Sequence, residues 1–266
     1  VLFVGGGGFS GPKKFLQDYP DVQVDVVEID PEVMQVAKNF FNVKNDSRLT
    51  IYNEDGRTYL LRTNKKYDLI VLDAYSKTYV PFHLLTREFF EIIWSRLSER
   101  GVVVSNLIAS LAGDSSDIFW AEYKTVSQIF PRLYAFPTSD YGTGWVQNVI
   151  LVASKDYQML SREDLIAKIQ KSNRVNPSEM IGYVLHLWDG GTRVENVPVL
   201  TDNFAPVESL LNPVTGKPYA LESEHQLERP VMVVWSENSS IVLTVLVAIA
   251  IVWLFFCKPD FRKPAK

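Results

Sequence analysis

The sequence is poor in the residues that build metal centres and disulfide frameworks. Its 266 residues include one cysteine, Cys257, and three scattered histidines, His83, His186 and His225. One cysteine cannot form a disulfide within the chain, and these four residues cannot supply a cysteine and histidine cluster for a metal ion. The sequence therefore predicts a protein without a metal cofactor and without internal disulfide bonds.

Positive charge is also scarce. The formal net charge is -4 and the isoelectric point is near 5.5, whereas a protein that follows phosphate backbones normally carries a broad basic surface. Nucleic acid is therefore not an expected partner. Hydrophobic residues make up 47% of the chain and charged residues 22%, which is typical of a globular protein. The length allows one full α/β domain with an appendage.

Long apolar runs are missing from most of the sequence, but one is present near its end. Residues 241–257 (IVLTVLVAIAIVWLFFC) are 17 residues without a charge, which is the short limit of a membrane span. A buried core helix is the alternative, but such a helix usually keeps a polar face, and only Thr244 interrupts this run. We expect a transmembrane helix here, within a terminal segment 237–266 that ends in a basic tail.

Short apolar runs alternate with helix-length segments from residue 1 onward. Such alternation is typical of a parallel sheet with helices on both faces. Pro12 and Pro31 support two helix starts, because a first helical turn tolerates proline. Two later runs, 132–136 and 146–153, predict a closing β-hairpin. The predicted strands before them are 1–4, 24–29, 49–52, 69–72 and 102–106, and the predicted helices are 12–19, 31–41, 56–62, 86–99 and 116–130.

After residue 154 the regular alternation stops. One amphipathic helix is predicted at 161–171, and the sequence that follows is rich in proline, glycine and asparagine. We therefore divide the chain into an α/β domain at 1–154, a lid or spacer region at 155–236 and the terminal segment 237–266. Because the chain begins at Val1 within a predicted strand, we also expect a segment upstream of it.

The turn Gly5-Gly6-Gly7-Gly8 lies between the first predicted strand and the first predicted helix. Glycine lets a backbone turn sharply and approach a ligand closely, although a purely structural bend would have the same sequence. Phe9 and Ser10 interrupt the G-x-G-x-x-G spacing of dinucleotide-binding turns. The turn therefore favours a nucleotide without a pyrophosphate.

Glu28 ends the second predicted strand. A carboxylate at this position can accept hydrogen bonds from both hydroxyls of a ribose. The other interpretation is a charge that favours the start of the next helix, but Asp30 can fill that role beside Pro31. We favour the ribose interpretation, which makes the turn and Glu28 a nucleoside-binding pair.

Two further acids follow neighbouring strands. Asp55, in Asn53-Glu54-Asp55-Gly56, can accept a hydrogen bond from an adenine amino group, or it can serve as a plain helix N-cap. Asp73 ends the fourth strand, at the edge where open α/β sheets bind ligands. A carboxylate there suits pairing with an amine nucleophile or deprotonating it, and a structural cap is the competing role. We interpret the nearby His83 as a packing residue.

In their order and spacing, the segments GGGG, VVEIDPEV, NEDG, YDLIVLDAYS and HLLTREFFEIIWSRLSERGVVV resemble the spermidine synthase (polyamine aminopropyltransferase) family over residues 1–154. The resemblance is greatest to a branch fused to membrane segments, whose L-T-D-x-x-A-P-V-E stretch is similar to residues 200–208. It implies a Rossmann-like, doubly wound α/β sheet of the class I methyltransferase type, mostly parallel with a C-terminal β-hairpin, followed here by the transmembrane helix.

The resemblance also implies a reaction. Decarboxylated S-adenosylmethionine would be the donor, and a small amine such as putrescine would be the acceptor. Asp73 would be the catalytic acid that orients and deprotonates the amine, which then attacks the aminopropyl carbon and releases methylthioadenosine. The donor-binding residues would be Gly5, Gly6, Gly7, Gly8, Glu28, Asp55 and Gly56, and the substrate-binding residues would be Tyr75, Ser76, Tyr79 and Asp202.

Two departures from the family pattern leave other functions open. The family usually carries G-G-G-D-G and D-[ST]-[ST]-D-P, but this chain has Gly8 and Ser76 in place of two acids that would touch cationic amines. An enzyme without these acids must find anions elsewhere, with Asp202, Glu208 and Asp140 as the candidates, or it must use another substrate. A methyltransferase that uses intact S-adenosylmethionine is the first alternative. A non-catalytic, membrane-tethered nucleotide-binding protein is the second.

The expected location is a membrane, with the catalytic domain facing the cytoplasm, where the donor nucleotide is found. The positive-inside rule would also place the basic tail 258–266 in the cytoplasm. A single span cannot satisfy both conditions, so we expect further spans upstream or an orientation set by the folded domain. The sequence does not fix the oligomeric state, and a homodimer is allowed.

Overall fold

A seven-stranded sheet forms the centre of the molecule. The computed structural model describes residues 1–74, 80–138, 142–158, 160–172 and 176–211. The strands follow the order β3-β2-β1-β4-β5-β7-β6, in which β7 runs antiparallel to both of its neighbours and the other pairs are parallel. The strands are β1 (Leu2–Val4), β2 (Val24–Glu28), β3 (Leu49–Asn53), β4 (Tyr67–Leu72), β5 (Leu97–Ala109), β6 (Arg132–Pro137) and β7 (Gln147–Ser154).

Eight α-helices accompany the sheet in the described part of the chain. One hydrophobic core joins α3, α4, α5 and α8 to one face of the sheet, and a second core joins α1, α2, α6 and α7 to the other. Burial on both faces agrees with the apolar character of the central strands. The helices are α1 (Ser10–Asp18), α2 (Pro31–Phe40), α3 (Gly56–Arg62), α4 (Arg87–Arg96), α5 (Asp117–Ser127), α6 (Arg162–Lys171), α7 (Pro177–Leu185) and α8 (Val207–Leu211).

The predicted α/β order is confirmed, with differences at the element ends. Helix α4 stops at Arg96 and not at residue 99, because Leu97 takes an extended conformation and pairs with Tyr67 at the start of β5. Helix α1 begins at Ser10, two residues earlier than predicted, since Phe9 turns the chain with a φ of 56°. The predicted hairpin is confirmed as the antiparallel pair β6 and β7.

The region predicted as a lid or spacer contributes to the second core. Helix α6 begins at a capping box formed by Ser161 and Asp164, as its sequence favours. Helix α7 was not predicted, yet its Met180 and Val184 are buried beside the sheet. Within the described residues, no helix is both long enough and apolar enough to cross a bilayer. The predicted span at 241–257 lies outside the described residues.

The strand order reverses between β1 and β4. The connections after β1 lead to β2 and β3 on one side, and the chain then returns to place β4 on the other side of β1. In open α/β sheets, ligands bind at the carboxyl ends of strands beside such a reversal. The residues just after β1 and β4 therefore face each other across the expected binding crevice.

Candidate active site

The glycine turn begins where β1 meets this crevice. Gly5 has a φ of +99°, and its N–H donates to the carbonyl oxygen of Val27 at 2.9 Å. A Cβ atom at this position would lie 2.4 Å from the carbonyl oxygen of Asp73. Glycine is therefore required both by the backbone conformation and by the close approach of the residue that follows β4.

Glu28 is tied to the glycine turn. Its Oε2 accepts hydrogen bonds from the N–H groups of Gly6 at 2.7 Å and Gly7 at 3.4 Å, and its Oε1 accepts from the N–H of Asp30 at 3.0 Å. The side chain is buried. A carboxylate has about four lone-pair positions, so Glu28 shapes the turn and keeps acceptor capacity for a hydroxyl group. Asp30 itself caps α2 by accepting from Glu32 N–H at 2.8 Å, as the sequence indicated.

Asn53 fastens the ends of β2 and β3 together. Its side-chain amide donates to the carbonyl oxygens of Glu28 at 2.9 Å and Ile29 at 3.0 Å. The strand that positions Glu28 is thereby joined to the loop that carries Asp55. Two of the predicted acids are thus held on one continuous edge.

Asp55 has two partners. Its Oδ1 caps α3 by accepting from Thr58 N–H at 2.9 Å, and its Oδ2 lies 3.0 Å from His83 Nε2. Burial raises the pKa of this carboxyl, but the hydrogen bonds from His83 and Thr58 outweigh it and hold the pKa below its usual range. Both interpretations of Asp55 therefore remain open, because a cap can still accept a further hydrogen bond. Gly56 allows α3 to start against β1, since a Cβ there would lie 2.4 Å from Val4 Cγ1.

Asp73 follows β4 and faces the crevice. Its N–H donates to the Val4 carbonyl oxygen at 2.9 Å, and the residue is exposed to solvent. The protein atoms packed around the carboxyl raise its pKa, and a hydrogen bond from Asn106 Nδ2 to Oδ1 at 2.9 Å partly offsets that rise. A carboxylate with a raised pKa is a stronger base. Its position and environment suit proton transfer.

Asn106 is a site residue that the sequence reasoning did not single out. It lies on β5, next to β4 in the sheet, and its Oδ1 is buried without a hydrogen-bond partner among the described residues. A buried unpaired acceptor is unusual in proteins. Its position in predicted strand 102–106 was the available signal, because that strand also delivers its last residue to the ligand-binding edge.

Asp202 has contacts that differ from its predicted substrate-binding role. Arg57 forms a bidentate ion pair with its carboxylate, with Nη1–Oδ1 at 2.7 Å and Nη2–Oδ2 at 2.5 Å, and Thr86 Oγ1 donates to Oδ1 at 2.7 Å. The hydrogen bonds from Arg57 hold the pKa of Asp202 below its usual value. Its carboxylate therefore fastens residues 200–211 to α3 and α4, and its substrate-binding role stays a prediction.

Of the remaining predicted residues, two lie within the described part of the chain and four lie outside it. Gly8 lies at the crevice, where a Cβ atom would lie 3.2 Å from the Phe41 ring, so an aromatic surface borders the position of the missing acid. Glu208 is exposed on α8. Tyr75, Ser76, Tyr79 and Asp140 lie outside the described residues.

Comparison with known proteins gives a family match and several similar curated proteins. A family model described as the spermine/spermidine synthase domain matches residues 1–161. The polyamine aminopropyltransferase of Vibrio vulnificus is 30% identical over 216 residues, which cover 79% of this chain and 69% of that relative. The chain spans less than two thirds of the length of several other curated aminopropyltransferases that it matches.

Two solved structures share the fold. A probable spermidine synthase from Corynebacterium glutamicum matches with a TM-score of 0.58 and 19% identity, covering 77% of this chain and 73% of that one. Human methyltransferase-like protein 13, in complex with SAH, matches with a TM-score of 0.54 and 22% identity. The match covers 73% of this chain and 85% of that one. The predicted Rossmann-like sheet of the methyltransferase type is thereby confirmed. With the family match over most of its length, the chain belongs to the spermine/spermidine synthase family, whose members are transferases that move an aminopropyl group in polyamine biosynthesis.

Proposed function

We propose that this chain transfers the aminopropyl group of decarboxylated S-adenosylmethionine to a small amine such as putrescine. The observation that carries the proposal is the meeting of the glycine turn, Glu28, Asp55 and Asp73 at one edge of the sheet, beside the strand-order reversal. This edge binds ligands in open α/β sheets. Family membership supplies the reaction class.

In the proposed complex, the nucleoside half of the donor lies along the ends of β1, β2 and β3. The ribose hydroxyls donate to Glu28, the adenine amino group donates to Asp55, and the turn at Gly5–Gly8 lets the backbone approach the sulfonium end. Glu28 and Asp55 are already held in place by backbone N–H groups. Ordered acceptors of this kind reduce the entropy that binding costs.

Asp73 acts on the acceptor amine in this proposal. The uncharged amine nitrogen attacks the aminopropyl carbon bonded to the sulfonium, the carbon–sulfur bond breaks, and its electron pair remains on sulfur as methylthioadenosine leaves. The new carbon–nitrogen bond gives a cationic amine, whose proton passes to Asp73 and then to solvent. The raised pKa of Asp73 favours this transfer, and the exposure of the residue lets the proton pass on to solvent.

A methyltransferase that uses intact S-adenosylmethionine is the second candidate. Gly8 favours this candidate. An acid at that position would repel the carboxylate of intact S-adenosylmethionine, and the Phe41 ring borders the position instead. Isothermal titration with S-adenosylmethionine and its decarboxylated form separates the candidates. We expect at least about tenfold tighter binding of the decarboxylated donor, equivalent to about 1.4 kcal/mol. Equal or inverted affinities would overturn aminopropyl transfer, and binding of neither would indicate a non-catalytic protein.

We further propose a membrane location, with residues 241–257 as the span and the catalytic domain on the cytoplasmic side. Support comes from the uncharged run itself and from the cytoplasmic location of the donor. Protease protection of the tail in sealed vesicles tests the topology. Because a span at 241–257 separates the two, the tail and the catalytic domain are expected to be digested from opposite faces, and digestion of both from the same face would contradict the span. The homodimer remains a prediction that sedimentation of the detergent-solubilised chain can test.

A further inference from the structure

His83 and Asp55 form a pair at the carboxyl edge of the sheet. His83 lies in the short 3-10 turn Phe82–Leu84, and its Nε2 is 3.0 Å from Asp55 Oδ2. The other oxygen of Asp55 accepts from Thr58 N–H at 2.9 Å. One carboxylate is thus held at both oxygens, and it cannot rotate without losing a hydrogen bond.

The protonation of the pair follows from these contacts. The hydrogen bonds at Asp55 outweigh burial and keep its pKa below the usual range, so the carboxylate is ionised at neutral pH and can only accept. His83 Nε2 must therefore carry the donated proton. Because each carboxylate oxygen offers two lone pairs, Asp55 Oδ2 keeps one acceptor position after His83 has donated.

The backbone of His83 is anchored to the same helix as Asp55. Its carbonyl oxygen accepts from Arg57 Nη1 at 3.0 Å, and Arg57 is held in turn by Asp202. Asp55 caps α3 and Arg57 lies in its first turn. The imidazole and the carboxylate are therefore fixed relative to one helix N-terminus and to each other.

We propose that His83 is a positioning residue that aims the remaining lone pair of Asp55 Oδ2 at the amino group of the donor's adenine. This role rests on the proposed function. The consequence is selectivity for an adenine base over a base with an oxo group at the same position. An amino group donates to the oriented oxygen, whereas an oxo group presents an acceptor to an acceptor, and unpaired polar groups are costly.

The test compares two nucleosides that differ at this one group. Methylthioadenosine and methylthioinosine are titrated by calorimetry into the wild-type chain, His83→Ala, His83→Gln and the control His186→Gln, which changes a histidine at the end of α7. We expect the wild type and the control to prefer methylthioadenosine. His83→Ala is expected to lose about tenfold in affinity for methylthioadenosine and to keep its affinity for methylthioinosine. His83→Gln, whose amide can donate to Oδ2, restores part of the preference.

The other outcomes separate this role from the proposed function. If the wild type binds neither nucleoside, both the proposed function and the role of His83 are wrong. If the wild type prefers methylthioadenosine and His83→Ala retains that preference, only the role of His83 is overturned. Equal losses of affinity for both nucleosides in His83→Ala and His83→Gln would show that His83 only keeps residues 82–84 in place beside α3 and does not orient Asp55.

Discussion

Asp73 is the residue on which the proposed chemistry depends most. Asp73→Asn keeps the oxygen that accepts from Asn106, so the site should retain its shape while it loses the base. We expect kcat to fall about 10²- to 10⁴-fold, the usual contribution of general base catalysis, with donor affinity changed less than about threefold. Steady-state kinetics and donor titration measure the two effects. Asp18→Asn, at an exposed carboxyl on α1, serves as the control, and full turnover of Asp73→Asn would remove Asp73 from the mechanism.

Asn106 gives a prediction about pH. The protein atoms packed around the carboxyl raise the pKa of Asp73, and the hydrogen bond from Asn106 lowers it. Asn106→Ala removes the lowering contribution, so Asp73 should become protonated at a higher pH and lose its function as a base there. The acidic limb of the kcat/KM profile is therefore expected to move to higher pH, with about tenfold lower activity at the original midpoint. An acidic limb that does not move would show that Asn106 does not tune Asp73.

The positions of single acids were more predictable than their partners. Glu28, Asp55 and Asp73 could be placed from sequence, because each follows an apolar strand and the carboxyl ends of parallel strands share one edge. The pairing of Asp55 with His83 joins residues 28 apart, and that of Asp73 with Asn106 joins residues 33 apart. Such pairs depend on how separate loops approach each other, which strand and helix periodicity does not encode.

The ion pair between Arg57 and Asp202 connects the end of the described chain to the start of α3. Asp202→Asn should release residues 200–211 and cost about 1 to 2 kcal/mol of unfolding free energy. Hydrogen bonds between charged groups contribute about 1.5 to 3 kcal/mol, and the 40% exposure of the Asp202 side chain reduces that value. Urea unfolding measures the loss, and hydrogen exchange is expected to rise in α3 and in residues 200–211.

Glu208→Gln is the matched control for this change. Its side chain is exposed on α8 within the same segment, so its effect should stay within about 0.5 kcal/mol. Similar losses for Asp202→Asn and Glu208→Gln would contradict a specific stabilising role for the ion pair between Arg57 and Asp202. The hydrogen-exchange measurement also tests whether this ion pair supports His83, because faster exchange in Asp202→Asn should then extend to residues 82–84.

Elements after residue 154 were harder to predict than those before it. Helix α7 starts at Pro177, which occupies a position where helices accept proline, and Asn176 caps it. Its proline and the interior Gly182 made the sequence read as a loop, and burial of Met180 and Val184 against the sheet outweighs that local preference. Helix α8 has five residues, too few to show a helical period.

One buried acid makes the stability of the whole molecule depend on pH. Glu122 on α5 is fully buried, and its Oε1 accepts from Ser105 Oγ on β5 at 2.6 Å. Its Oε2 has no hydrogen-bond partner among the described residues. Burial raises the pKa of Glu122 to about 7, and the hydrogen bond from Ser105 opposes that rise. The folded protein therefore favours the protonated form of this carboxyl.

The sign of the pH effect follows from this raised pKa. Below the ordinary pKa of 4.5 the carboxyl is protonated in both states, and the folded protein has its full stability from this group. As pH rises towards 7, the unfolded chain releases the proton first, and the folded state loses stability relative to it. Each pKa unit corresponds to about 1.4 kcal/mol, so the total loss is about 3 kcal/mol above pH 7.

Glu122→Gln keeps the shape of the protonated side chain and removes its titration. We expect the variant to be more stable than the wild type at pH 8, by up to about 3 kcal/mol less the cost of an unpaired amide, which is about 1 to 3 kcal/mol. Between pH 4.5 and 7 the difference between wild type and variant should change steadily in favour of the variant. Urea unfolding across this range measures both curves. Parallel curves would show that Glu122 has the same pKa in the folded and unfolded chains and that its burial does not couple stability to pH.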